Sequence, residues 1–201
     1  MLVAGIKSRP VYGGLDVDQN ARRHLFALEG EGALAIIDQA AKAGRDFLKT
    51  SDILYVASGS KAEDHDKKLA ALGPDSLWVA PTIPVLLNRF NVMLGQARMG
   101  ARIYVSGTEG FIGQAIQLAM NHGVDHASVH AEHRGSAARR VQCVHCKGIT
   151  DNVKTSPFTC SHCGLSLLVR DHYSRRIGAF QGVCIDAEEP GTAPQPEELF
   201  P

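Results

Sequence analysis

The sequence has no excess of charge, because its 21 lysines and arginines balance 21 aspartates and glutamates. A chain without a net field does not concentrate nucleic acid or an anionic membrane surface around itself, so both are disfavoured as partners. Apolar runs are also short, and none reaches the ~18 residues that a membrane-spanning helix needs. Charge appears by Lys7, too early for a signal peptide. We therefore expect a cytoplasmic protein without a membrane segment.

Cysteine is scarce, but four of the five cysteines form two close pairs with the spacing C-x2-C-x13-C-x2-C. In a reducing compartment such pairs bind metal more often than they form disulfides. Two residues between ligands let both sulfurs of a pair face the same ion. The predicted metal ligands are Cys143, Cys146, Cys160 and Cys163.

Zinc and iron both accept four sulfur ligands, and zinc is the favoured ion here. Lys147 follows the first pair where a rubredoxin has glycine, and Ser161 stands where a rubredoxin usually has proline. Four thiolates leave no open coordination position, which predicts a structural role for the ion. The two histidines inside the pairs, His145 and His162, are expected to be exposed or to form hydrogen bonds around the site.

Apolar runs alternate with amphipathic segments over the first two thirds of the chain. Strands are predicted at 25–28, 53–57, 77–80, 102–105 and 127–130, and helices at 33–42, 62–72, 85–97 and 111–121. This alternation predicts an α/β fold, a parallel sheet with flanking helices.

The composition changes at Gly135, where small and polar residues begin. The predicted domains are an α/β domain at 1–135 and a small β domain, the zinc ribbon, at 136–187. Residues 188–201 contain four prolines and four glutamates and are predicted to form a flexible tail.

A glycine-rich turn follows the predicted strand 102–105. Glycines let a backbone approach a ligand, and the helix that follows presents unpaired N–H groups to an anion. The candidate nucleotide-binding residues are Ser106, Gly107, Thr108, Glu109, Gly110 and Phe111. Any tight turn from strand to helix can also use glycine, so a purely structural turn remains open.

Together with Val129-His130-Ala131-Glu132 after the next helix, this turn resembles the NAD-binding domain of ferredoxin-reductase-type flavoprotein oxidoreductases. Ser106 stands where those enzymes have a cysteine near the nicotinamide. Their earlier Gly-Gly-x-Gly-x-Thr-Pro loop has only weak counterparts, at 57–60 or 80–82, and their flavin-binding Arg-x-Tyr-Ser motif is absent from this sequence. The resemblance implies a reductase-like scaffold, with NAD(P)H binding as an open alternative.

The reductase-like half, the cysteine pairs and the segment RDHYSRRIGAFQG at 170–182 together resemble the DmmA subunit family of bacterial dimethylamine monooxygenases, over residues 20–185. This resemblance implies an accessory subunit, without catalytic residues of its own, in a hetero-oligomeric NADPH-dependent enzyme. That enzyme converts dimethylamine to methylamine and formaldehyde. Haem, flavin and an iron–sulfur cluster are expected on partner subunits. The alternatives are an NAD(P)-binding reductase component and a nucleic-acid-binding ribbon.

Overall fold

A computed structural model describes residues 8–59 and 64–201 of the chain. The chain forms two compact units. Tyr12–Gly135 is one unit, and Ser136–Pro201 together with the described residues 8–11 is the other. Within the described residues, no helix is both long and apolar enough to cross a membrane.

The unit Tyr12–Gly135 is built on five parallel strands in the order β3-β2-β1-β4-β5. The strands are β1 Arg23–Glu29, β2 Ser51–Val56, β3 Ser76–Ala80, β4 Ala101–Gly107 and β5 Val129–His133. The helices are α1 Ala33–Ala43, α2 His65–Ala71, α3 Ile83–Gln96 and α4 Glu109–Asn121. The predicted α/β class, a parallel sheet with flanking helices, is confirmed.

The inner strands β1, β2 and β4 carry apolar runs because both faces of the sheet are covered there. Along β1, Leu25 and Ala27 belong to the core shared with α3 and α4, whereas Phe26 and Leu28 belong to the core shared with α1. Alternate side chains of one strand therefore enter different cores. Burying each large apolar side chain contributes about 1.5–3 kcal/mol, so β1 stabilises the unit on both faces of the sheet.

One predicted element differs from the structure. The segment predicted as a strand at 127–130 begins with a 3-10 turn, His126–Ser128, and β5 follows it. The turn forms because the Asp125 carboxylate accepts a hydrogen bond from the Ala127 amide at 3.4 Å. The start of the helix predicted at 62–72 and the segment before Ser8 lie outside the described residues.

The second unit is rich in strands. One sheet has the order β7-β6-β11-β10-β9, in which only the pair β6 and β11 is parallel. Its strands are β6 Arg139–Cys143, β7 Ile149–Val153, β9 Phe158–Thr159, β10 Ser166–Ser174 and β11 Ala179–Cys184. A short second sheet pairs β8 Thr155–Ser156 with β12 Glu197–Glu198. The strand-rich second domain expected from the sequence is confirmed.

Both ends of the described chain pack in this second unit. The Ser8 amide donates to the Asp171 carbonyl at 3.1 Å, although the sequence placed residue 8 in the α/β domain. The final residues, predicted to form a flexible tail, instead make defined contacts. The Leu199 and Phe200 amides both donate to the Lys154 carbonyl, at 3.0 and 2.9 Å.

Candidate functional site

The four paired cysteines meet at one point of the second unit. The turn between β6 and β7 carries Cys143 and Cys146, and the turn between β9 and β10 carries Cys160 and Cys163. All four Sγ atoms lie within 4.8 Å of one another, and two pairs across the turns are 3.8 Å apart. A tetrahedral ion with metal–sulfur bonds of about 2.3 Å requires sulfur–sulfur edges of about 3.8 Å. The cluster could therefore bind one metal ion.

The two turns have matching backbone geometry. In the first, the Lys147 amide donates to the Cys143 carbonyl, and in the second the Gly164 amide donates to the Cys160 carbonyl, both at 3.0 Å. Lys147 and Gly164 both adopt positive φ, 63° and 75°. That conformation costs a lysine roughly 1 kcal/mol, because its Cβ crowds the backbone. The Lys147 Nζ donates to the Val144 carbonyl at 2.6 Å, which offsets part of this cost.

Backbone N–H groups favour the ionised form of Cys160. Burial alone raises the pKa of this thiol, but the amides of Cys163 and His162 donate toward the sulfur and lower its pKa to about 6. The Gly148 amide also donates to the Cys146 Sγ at 3.4 Å. For Cys163 the Leu165 amide lowers the pKa, but burial and the neighbouring sulfurs raise it to about 12. The four thiols therefore do not all ionise at neutral pH unless a cation offsets their mutual repulsion.

The histidines of the two pairs lie outside the sulfur cluster. His145 and His162 are both exposed. The His162 Nε2 lies 2.8 Å from the Ile149 carbonyl, so the ring ties the second turn to β7. The hydroxyls of Thr150 and Ser161, 2.9 Å apart, add a second link between the same elements.

The predicted nucleotide residues lie together at the carboxyl end of β4, in the other unit. The Ser106 hydroxyl donates to the Glu132 carbonyl at 2.8 Å. Thr108 caps α4, and its Oγ1 accepts from the Phe111 amide at 3.4 Å. Gly107 has φ of 155°, and the Phe111 side chain is buried in the core. Glu109 and Gly110 form the first turn of α4.

A second glycine-rich turn, which was not predicted as a candidate site, follows the central strand β1. In an open parallel sheet that binds a dinucleotide, the phosphate-binding loop follows the central strand. In this chain that position is held by Glu29-Gly30-Glu31-Gly32. The counterparts expected at 57–60 and 80–82 instead follow β2 and β3, and Ser60 lies outside the described residues. Two glycines spaced by one residue after the apolar run 25–28 were the available signal.

Solved structures offer only weak similarities. The full-length CYP116B46 from Tepidiphilus thermophilus aligns at 21% identity and a TM-score of 0.45, over 69% of this chain and 20% of that one. The flavohem-like FAD/NAD-binding domain of nitric oxide dioxygenase from Vibrio cholerae aligns at 18% identity and a TM-score of 0.41, over 63% and 56%. This chain thus spans a fifth of the first structure and about half of the second.

Similarity to protein families is much stronger. Residues 4–129 match the model of the dimethylamine monooxygenase subunit DmmA-like N-terminal domain, and residues 140–183 match that of the C-terminal domain. A curated relative, the heme-dependent oxidative N-demethylase delta subunit of Ectopseudomonas mendocina (strain ymp), is 32% identical over 158 residues, which cover 76% of this chain and 90% of the relative. The chain therefore belongs to the DmmA-like family of dimethylamine monooxygenase subunits.

Proposed function

We propose that this chain is an accessory subunit of a cytoplasmic, NADPH-dependent dimethylamine monooxygenase, in which it holds one structural zinc ion and binds redox-active partner subunits. The reaction is the oxidative demethylation of dimethylamine to methylamine and formaldehyde. Haem, flavin and iron–sulfur cluster belong to the partners in this proposal. Support comes from the family membership and from the curated relative, itself named as the delta subunit of an oxidative N-demethylase.

The observation that carries the proposal is the four-sulfur cluster. Cys143 and Cys160 are buried, and Cys146 and Cys163 are half-buried, so the ion would be enclosed by protein on most sides. Four sulfurs fill a tetrahedral coordination sphere and leave no position for a substrate or a water. Such an ion stabilises a small unit and takes no part in the reaction.

Three of the arginines around the cysteine segment pair with carboxylates of the chain itself, which weakens the nucleic-acid alternative. The Arg139 side chain is buried and paired with Asp171 at 2.6 Å, and Arg140 lies 3.7 Å from Asp151. Arg134 pairs with two carboxylates within its own unit, those of Glu132 and Asp38. Guanidinium groups engaged in this way contribute little to a surface that neutralises phosphates.

The experiment is co-expression of this chain with its partner subunits, followed by metal and cofactor analysis of each purified subunit. Cys160→Ser is the test variant. Cys184→Ser is its matched control, because Cys184 lies outside the cluster and its Sγ donates to the Asp186 carboxylate at 3.3 Å, a bond that a serine hydroxyl preserves.

We expect about one zinc per wild-type and Cys184→Ser chain, and loss of both zinc and subunit association in Cys160→Ser. Flavin, haem and iron should stay with the other subunits. Visible absorption from iron–thiolate bonds in this chain would show that the bound ion is iron and not zinc. Flavin or haem bound to this chain, or normal assembly of Cys160→Ser, would refute the accessory role.

A further inference from the structure

The crevice in which an open parallel sheet binds a dinucleotide lies where the strand order reverses. In this sheet the chain leaves the central strand β1 toward β2 on one side and returns to β4 on the other, so the crevice lies between the ends of β1 and β4. The turn after β1 is Gly30–Gly32, and the turn after β4 contains Gly107 and Thr108. Both turns lead into helices whose N-terminal amides face this edge of the sheet.

A carboxylate of the chain itself occupies the centre of this crevice. Glu29, the last residue of β1, is only 5% exposed. Its Oε2 accepts from the amide and the hydroxyl of Thr108, at 2.9 and 2.7 Å, and its Oε1 accepts from the Ser58 hydroxyl at 2.8 Å. These donors, from the ends of β4 and β2, are the kind that bind a phosphate oxygen in a dinucleotide site.

The space beside the glycines of the two turns is filled by other atoms of the chain and not left for a ligand. A Cβ on Gly107 would lie 2.7 Å from the Glu29 Cβ and 2.9 Å from its Oε2. A Cβ on Gly32 would lie 2.2 Å from the Ser106 carbonyl oxygen. Each glycine is therefore required by a close approach between the β1 turn and the β4 turn.

The charge of both turns also opposes a phosphate. Glu31 lies in the 3-10 turn after β1, and Glu109 lies in the first turn of α4. Neither 29–33 nor 106–111 contains a lysine or an arginine. A diphosphate placed here would meet carboxylates and no basic side chain from either turn, and like charges at this separation repel.

We infer that Glu29 takes the place of an anionic ligand in this crevice and closes it to NADH and NADPH. A nucleotide could enter only by displacing the carboxylate from its three donors. The residues of the turn 106–111 then form a structural junction. This inference deepens the proposed function, on which it rests only for assigning NADPH to another subunit.

The test is calorimetric titration of the full zinc-loaded chain with NADPH and with inorganic pyrophosphate. Glu29→Gly opens the crevice, and Glu29→Gln retains the shape of the side chain while removing its charge. Asp46→Asn is the control for the loss of one negative charge, because Asp46 precedes β2 at the opposite edge of the sheet and is exposed. Fluorescence of Trp78, the sole tryptophan, shows whether each variant is folded.

We expect neither the wild type nor Asp46→Asn to bind either probe with a Kd below about 1 mM. We expect Glu29→Gly to bind pyrophosphate at least about tenfold more tightly than the wild type, and Glu29→Gln, whose side chain still fills the crevice, to gain less. A Kd for NADPH below about 1 mM in the wild type overturns the inference, and so does a folded Glu29→Gly with no gain for pyrophosphate. Zinc content and subunit association, measured on the same samples, report separately on the proposed function.

Discussion

Replacement of Phe200 by leucine tests how firmly the last residues hold the strand-rich unit. The Arg139 guanidinium carbon lies 4.0 Å from the centroid of the Phe200 ring and 4.1 Å from that of the Phe180 ring, between the two. The Arg139 side chain is only 5% exposed, so the interaction is largely desolvated. A desolvated cation–π contact contributes about 2 kcal/mol, whereas leucine keeps most of the apolar packing. We therefore expect Phe200→Leu to destabilise this unit by about 2 kcal/mol.

Amide hydrogen exchange is the suitable assay, because the sole tryptophan lies in the other unit and its fluorescence does not report on this one. The Ala137 amide donates to the Pro201 carbonyl oxygen at 2.6 Å and the Phe200 amide to Lys154. A loss of about 2 kcal/mol lowers the protection of both amides about 30-fold. Leu199→Ala is the control, because that side chain is exposed and its loss should leave protection unchanged.

A double-mutant cycle identifies the contact responsible. Arg139→Met removes the cation, and the coupling between Arg139→Met and Phe200→Leu should be about 1–2 kcal/mol. If the coupling falls below about 0.5 kcal/mol, the error of additivity, the stacked guanidinium does not hold the tail. Unchanged protection of Ala137 in Phe200→Leu would refute the reasoning as well.

Two further predictions concern the α/β unit. Burial lowers the pKa of His24 below its usual 6.5, and the Tyr104 hydroxyl, 3.4 Å from Nδ1, suits a neutral ring. The unfolded chain then binds the proton more readily, so the free energy of unfolding falls as pH drops below about 6.5, by at most about 1.4 kcal/mol per pH unit. Urea unfolding at several pH values should show a shallower slope of unfolding free energy against pH for His24→Gln than for the wild type. Equal slopes would contradict this prediction. Gly32→Ala, whose Cβ would meet the Ser106 oxygen, should cost about 3 kcal/mol or more in urea unfolding, whereas Gly13→Ala, with open space around it, should be nearly neutral.

The sheet could be predicted from the sequence because its strands are buried on both faces. A strand such as β2, Ser51–Val56, reads as a continuous apolar run bounded by loop residues, and helices separate such runs at regular intervals. The cysteine cluster was equally accessible, since the spacing of the four residues alone predicts that their sulfurs meet.

The contacts of the tail could not be predicted from composition. Composition describes only the average of residues 188–201. The tail is held in place by a two-residue strand, Glu197–Glu198, and by the ring of Phe200. Both depend on partners distant in sequence, Thr155–Ser156 and Arg139, that no local pattern reveals.

The turn after β1 was missed for a different reason. Gly30 and Gly32 have the spacing of a dinucleotide-binding loop, but acidic residues, Glu29 and Glu31, stand beside them, and the sequence does not show that the Glu29 carboxylate fills the crevice. A buried acid such as Glu29 requires hydrogen-bond donors near it, so an acid at the end of a buried strand indicates a close contact with other parts of the chain.

The central position of β1 has a consequence for synthesis on the ribosome. Of the strands in residues 8–59 and 64–201, β1 emerges first, yet one of its two neighbours, β4, ends at Gly107, about 80 residues later. At roughly 5–20 residues per second, the apolar residues of β1 wait about 4–16 s for that edge to be covered. Nascent chains arrested before Gly107 should therefore recruit chaperones through β1, and slowing translation of α2 and β3 should lower the yield of folded protein.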